Sequence, residues 1–295
     1  MRLGAFELSE SVPELREPHA LAILRPWIDV GNVGTLTLSR FESQMKALEL
    51  GRLARPGNFF DFTRYRPTIY LKEGRRELEI PNTSIAYAKL DGRNDFLFLR
   101  LLEPHMLAEI YIDSILKLFK RFGVKRYCLL GAMYDMVPHT RPLLVTGTGS
   151  NLKLQSEVET AKVLPSEYVG PTTIALLVSQ NAPQMGIETL SLIVHLPQYF
   201  GLENDHRGQT TLMQILSSLY GFPVAQDDLD TANKQADSVS QMAEQMMQQE
   251  PSYRAILKYL EDNYDSRVNK TKDESKLSPE LEQLLQDLSR RFSQG

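Results

Sequence analysis

The strongest constraint on the fold is a change of hydrophobic period within one early segment, "HALAILRPWIDVGNVGTLTLSRFESQMKALELG". Leu21 to Leu24 form a short apolar run that suits a buried strand. After Gly31 and Gly34 the apolar residues fall at Leu38, Phe41, Met45 and Leu48, which is helical spacing and predicts a helix stopping at Gly51. Strand, glycine loop, helix is the opening of an α/β layer fold.

The alternation continues. "RPTIYLKEGRRELEIPNTSIAYAKLDGRNDFLFLRLL" reads as strands parted by turns at Glu73-Gly74 and Asp91-Gly92, with Phe96–Leu102 apolar enough for a central strand. Residues 105–122 carry Leu107, Ile110, Tyr111, Ile115, Leu118 and Phe122 along one helical stripe, ended by Gly123. "VKRYCLLGAM" and "IETLSLIVHLP" are two more buried strands, and "GPTTIALLVSQNAPQMG" between them looks helical. The aromatic stretch "NFFDFTRYRPTIY" is read as core packing rather than a stacking surface. Such alternation implies a sheet with helices on both faces.

From about Gly208 the strand signal stops. "QTTLMQILSSLYG" is amphipathic, and Leu229, Ala232, Ala236, Val239, Ala243 and Met246 alternate steps of three and four, a seam of mostly small residues that admits a close neighbour. That neighbour is either the helix at 251–264 or another subunit. The expected organisation is an α/β core over 1–207, a helical extension over 208–265, a polar linker over 266–277 and a C-terminal helix over 278–295, capped by Ser278 with Pro279 at its first position.

Charge and composition exclude several function classes. With 33 basic and 37 acidic residues the chain has a net charge of −4, without the basic footprint of a general nucleic-acid binder. The single cysteine, Cys128, offers neither a disulfide nor a thiolate metal cluster and reads as a small core residue. The N-terminal region has no apolar signal-peptide core, and no stretch reaches the ~18 apolar residues of a spanning helix. A cytoplasmic protein is expected, without membrane or nucleic-acid partners.

Only one segment concentrates groups that can bind an anion: "VPHTRPLLVTGTGSN", Val137–Asn151. As a loop beyond a strand it would combine His139, the Arg141 guanidinium, the hydroxyls of Thr146, Thr148 and Ser150, and backbone freed by Gly147 and Gly149. It closes neither a Walker loop nor a dinucleotide fingerprint. The competing reading makes Ser150 or Asn151 a helix cap and ties Arg141 to a carboxylate of the same chain. His195, in "LIVHLP", reads as a hydrogen-bonded core residue, and the histidine spacing supports no zinc site. No catalytic residue, metal site or cofactor is assigned.

Taken in order, "NFFDFTRYRP", "PHTRPLLVTGTGSN", "YVGPTTI", "LSLIVHLPQYF" and "LYGFPVAQDDL" leading to "YLEDNYD" resemble the proteasome assembly chaperone family in its prokaryotic branch, from about residue 20 to about residue 265. The resemblance implies a three-layer α/β/α domain with a mixed sheet, similar to phosphorylase/hydrolase-like proteins, plus a C-terminal helical extension. It implies a non-enzymatic interaction or assembly role, with a protein partner or a homo-oligomer of the chain itself. The alternative is an enzyme, phosphorylase/hydrolase-like or an ATP-dependent ligase, with an anion pocket at 138–151. The chain departs from the family pattern at Gln198 and Gln209, where relatives often carry His and Lys.

Overall fold

The structure is a computed structural model that describes residues 1–250 and 252–269. In chain order its elements are β1 (Arg2–Leu3), β2 (Phe6–Leu8), β3 (His19–Arg25), α1 (Val33–Gln44), β4 (Leu48–Leu53), β5 (Thr68–Lys72), β6 (Arg75–Glu79), β7 (Ser84–Ala88), β8 (Phe96–Leu102) and α2 (Ala108–Phe122). There follow β9 (Arg126–Asp135), β10 (Leu144–Gly149), α3 (Leu152–Thr160), β11 (Leu164–Pro165), α4 (Ile174–Asn181), β12 (Glu188–Pro197), α5 (His206–Tyr220), α6 (Gln226–Gln249) and α7 (Ser252–Asn269).

Ten strands form one mixed sheet in the order β1-β2-β4-β7-β8-β3-β9-β12-β10-β11. Its centre, β8, β3, β9 and β12, is parallel. On one side β7, β4 and β2 continue antiparallel, and on the other β10 runs antiparallel to β12.

Strand periodicity sorts the central residues onto two cores. Ala20, Ala22, Leu24, Leu97, Leu99, Leu101, Tyr127 and Leu129 face α2 and α4. Leu21, Ile23, Phe96, Phe98, Cys128 and Leu130 face α1, α3 and α5. The fold is therefore a three-layer α/β/α domain, with α6 and α7 as additional C-terminal helices. Cys128 is fully buried, and burial pushes its thiol up to about 12.

Three expectations need correction. The first helix ends at Gln44, and Leu48 and Gly51 belong to β4, because residues 48–53 find partners in β2 and β7 that local periodicity does not reveal. The boundary expected after residue 207 falls inside α5, whose Leu212, Met213 and Leu216 are fully buried against the sheet. α7 runs on to Asn269, so the first residues of the expected linker are helical; its remainder and the helix expected at 278–295 lie outside the described residues.

Candidate functional site

Residues 144–149 of the anion-loop candidate are strand β10, not loop. They pair with β12 from Leu144↔His195 to Gly149↔Leu190, and Thr146 and Gly147 also pair with β11. Side chains along a strand alternate between faces, so Thr146 and Thr148 point away from the side of Gly147 and cannot converge with it on one ligand. A Cβ at Gly147 would meet Ser191 O at 2.4 Å, which makes this glycine a close-packing residue of the sheet. Gly149 N donates to Gln155 Oε1 (2.9 Å), and Ser150 Oγ accepts from Thr189 N (2.9 Å). Asn151 caps α3 by accepting from Leu154 N (2.8 Å).

Arg141 is engaged by α7. Its Nε and Nη2 donate to Asp265 Oδ1 and Oδ2 at 3.0 and 2.9 Å, and its Nη1 donates to Glu261 Oε1 at 3.1 Å. Thr140 Oγ1 bonds the same Glu261 oxygen. His139 is buried: its Nδ1 lies 2.9 Å from Tyr199 Oη, its ring meets the edge of Phe200, and burial followed by the charge of Arg207 lowers its pKa. The cradle expected from His139, Arg141, Thr146, Gly147, Thr148, Gly149 and Ser150 is thus not assembled. Apart from the exposed hydroxyl of Thr148, these groups serve the sheet, the α3 cap and the α7 contact.

A polar chain does run across the sheet at this point. Thr146 Oγ1 lies 2.8 Å from His195 Nε2, His195 Nδ1 lies 2.8 Å from Asp135 Oδ2, and Arg267 of α7 donates to that oxygen at 2.9 Å. Burial opposes ionisation of Asp135, but the bonds from His195 and Arg267 outweigh it and hold the carboxyl well below the usual carboxylate range. The order acid, imidazole, hydroxyl resembles a nucleophile relay. The strand around Thr146, however, is paired on both sides, so its own backbone N–H groups are not free to act as oxyanion donors. The relay and the Arg141 clamp fasten α7 across the ends of β9, β10 and β12, over a small apolar contact of Tyr264 with Val137 and Leu144.

The helical seam is also covered by the chain itself. Ala232, Val239 and Ala243 are buried and Leu229, Ala236 and Met246 half-buried, with α6 lying on α5 and touching α7. Gln235 of the same helix accepts from His206 N and Arg207 N at the start of α5. Within the single chain these six residues form an internal packing face, the first of the two neighbours that their spacing allows. Gln209 is buried beside His206, and Gln198 is exposed.

Of the aromatic stretch 58–70 expected to pack in the core, Phe59 and Phe60 do so, whereas Ile69 and Tyr70 lie in the exposed β5–β6 hairpin. It forms a separate two-stranded sheet in which every residue is exposed. Glu73 and Gly74 both have positive φ (50° and 78°), as the two-residue turn between Lys72 and Arg75 requires. The register pairs Ile69 with Leu78 and Leu71 with Arg76 on one face. Ile69, Leu71 and Leu78 are 64%, 73% and 59% exposed. The other face is polar, with Tyr70 Oη donating to Glu77 Oε2 at 2.9 Å. Period-2 alternation was the available signal, but it does not say whether an apolar face is covered.

A sequence model of the PAC2 family matches residues 23–247. No curated protein matches the chain. Among solved structures, a PAC2 family protein from Streptomyces avermitilis is similar at 24% identity and a TM-score of 0.69, covering 77% of this chain and 96% of that one. A Mycobacterium tuberculosis protein of unknown function is similar at 23% identity and a TM-score of 0.74, over 91% and 93% of the two chains. PbaB of Pyrococcus furiosus, described as an archaeal proteasome activator, is similar at 17% identity and a TM-score of 0.64, over 83% of this chain and 100% of that one. Among the described residues no helix is long and apolar enough to cross a membrane. The match to the family model spans most of the chain, and the chain belongs to the PAC2 family.

Proposed function

We propose that this chain is an assembly-chaperone-like protein that acts by contact with other proteins, as a homo-oligomer in the cytoplasm, and that the β5–β6 hairpin is its contact element. Family membership and the similarity to proteins described as proteasome-assembly chaperone homologues and activators support the reading. The carrying observation is the hairpin itself. An isolated two-stranded ribbon is marginal in water, and this one holds Ile69, Leu71 and Leu78 together on an open face instead of scattering them. Burial against a partner removes that apolar area from water.

The experiment mixes the purified chain with proteasome α-type subunits of its own cell and follows complex formation by light scattering after gel filtration. A complex that forms with the native chain and is lost in Leu71→Glu/Leu78→Glu, with the melting temperature of the free chain unchanged, supports the reading. A complex indifferent to both substitutions removes the hairpin from it, and no complex removes the α-type subunit as partner.

A further inference from the structure

The carboxyl ends of the parallel strands point to a second site, independent of the hairpin's apolar face. β3 is followed by α1 on one face of the sheet, and β8 is followed by α2 on the other. Where neighbouring parallel strands send their connections to opposite faces, a crevice opens beyond their carboxyl ends, and ligands of α/β proteins settle there. Arg25 and Leu102, the last residues of β3 and β8, are paired in register at this point. An open crevice of about 440 Å³ lies over them, lined further by Tyr65, Arg66 and Glu79 beside the hairpin. This volume is in the range of small-molecule sites.

Its lining carries two charges of each sign. Arg25 and Arg66 are exposed guanidiniums without an ion pair among the described residues; the only hydrogen bond of the Arg66 side chain is a long one, 3.5 Å, to Thr63 O. Facing them are Glu79 and the buried Asp29, whose carboxylate is fixed by Thr35 N (3.0 Å) and Thr35 Oγ1 (2.5 Å) at the start of α1. Tyr65 is held rigid by its contact with His105, ring centroids 4.6 Å apart, and by donation from its hydroxyl to Glu103 O (3.1 Å). A polyanion would gain the arginines but suffer repulsion from Asp29 and Glu79. A ligand with one negative and one positive end meets both pairs.

We propose that this crevice binds a small zwitterion of the free α-amino-acid class, its carboxylate on Arg25 and Arg66, its ammonium toward Asp29 and Glu79, and its side chain against Tyr65. The test is thermal denaturation and titration calorimetry of the full chain with each of the common amino acids, and with inorganic phosphate and acetate as anions lacking an ammonium. The expected result is a rise of a few degrees in melting temperature with one amino acid or a related group of them, and no comparable rise with either anion. Arg66→Ala and Arg25→Met weaken that binding by about tenfold or more, while Arg64→Ala, whose guanidinium lies beside Asp61 instead, does not. No stabilisation by any amino acid overturns the proposal. So does an equal effect of phosphate or acetate, or binding that survives in both Arg66→Ala and Arg25→Met.

Discussion

Arg141 and Asp265, 124 positions apart, meet through two parallel hydrogen bonds of 3.0 and 2.9 Å, the fork geometry that suits a guanidinium to a carboxylate. The pair joins the segment before β10 to the last described helix. If this is its purpose, Arg141→Ala and Asp265→Ala lower the melting temperature by similar small amounts, and the double variant loses little more than either alone. Amide exchange along α7 should quicken in all three. Additive losses, or unchanged exchange in α7, would show that the two side chains do not act together.

His19 makes the stability of the fold depend on pH. It packs edge-on against Phe96 and Tyr220, and burial first, then the charge of Arg126, lowers its pKa to about 4. In the unfolded chain the imidazole takes its proton near the ordinary pH of ~6.5. Between those values the unfolded state binds more protons, so stability is lost as pH falls from about 6.5 to about 4 and is insensitive to His19 above that window. The separation sets an upper bound of roughly 3 kcal/mol on the loss. His19→Phe is expected to flatten the pH dependence measured by urea unfolding at pH 7 and pH 4.5. An identical slope in the variant would refute the assignment.

Gly147 carries a packing requirement. An added Cβ meets the Ser191 carbonyl at 2.4 Å and Val163 Cγ1 at 2.9 Å, and the first of these is backbone within a paired strand. Gly147→Ala should cost about 2–3 kcal/mol in chemical denaturation, by forcing β10 and β12 apart. A cost near zero would mean that the two strands can separate freely here.

Val239 distinguishes an internal seam from a subunit interface. It is 4% exposed in the single chain. Val239→Asp buries an unpaired carboxylate and should destabilise the fold by about 3 kcal/mol, with no change in the mass of the species that remains folded. A change of oligomeric mass at full stability would instead place α6 between subunits.

Local periodicity determined much of this protein. The apolar runs of β3, β8 and β9 could be read directly, as could Tyr111, Ile115, Leu118 and Phe122 on the buried face of α2, since which residues share a face depends only on neighbours in the chain; Leu107 and Ile110 of the expected stripe are exposed. The motif from His139 to Asn151 carried the family resemblance on the same terms. Tertiary structure decided the rest. Residues 144–149 became a strand because β12 and β11 lie on either side of them, and Arg141 lost its freedom because α7 returns with Glu261 and Asp265. The alternation of Ile69, Leu71 and Leu78 is that of a half-buried strand, yet these side chains are exposed and none of the described residues covers them. Periodicity specifies that a face is apolar; only the arrangement of distant segments specifies what, if anything, lies against it.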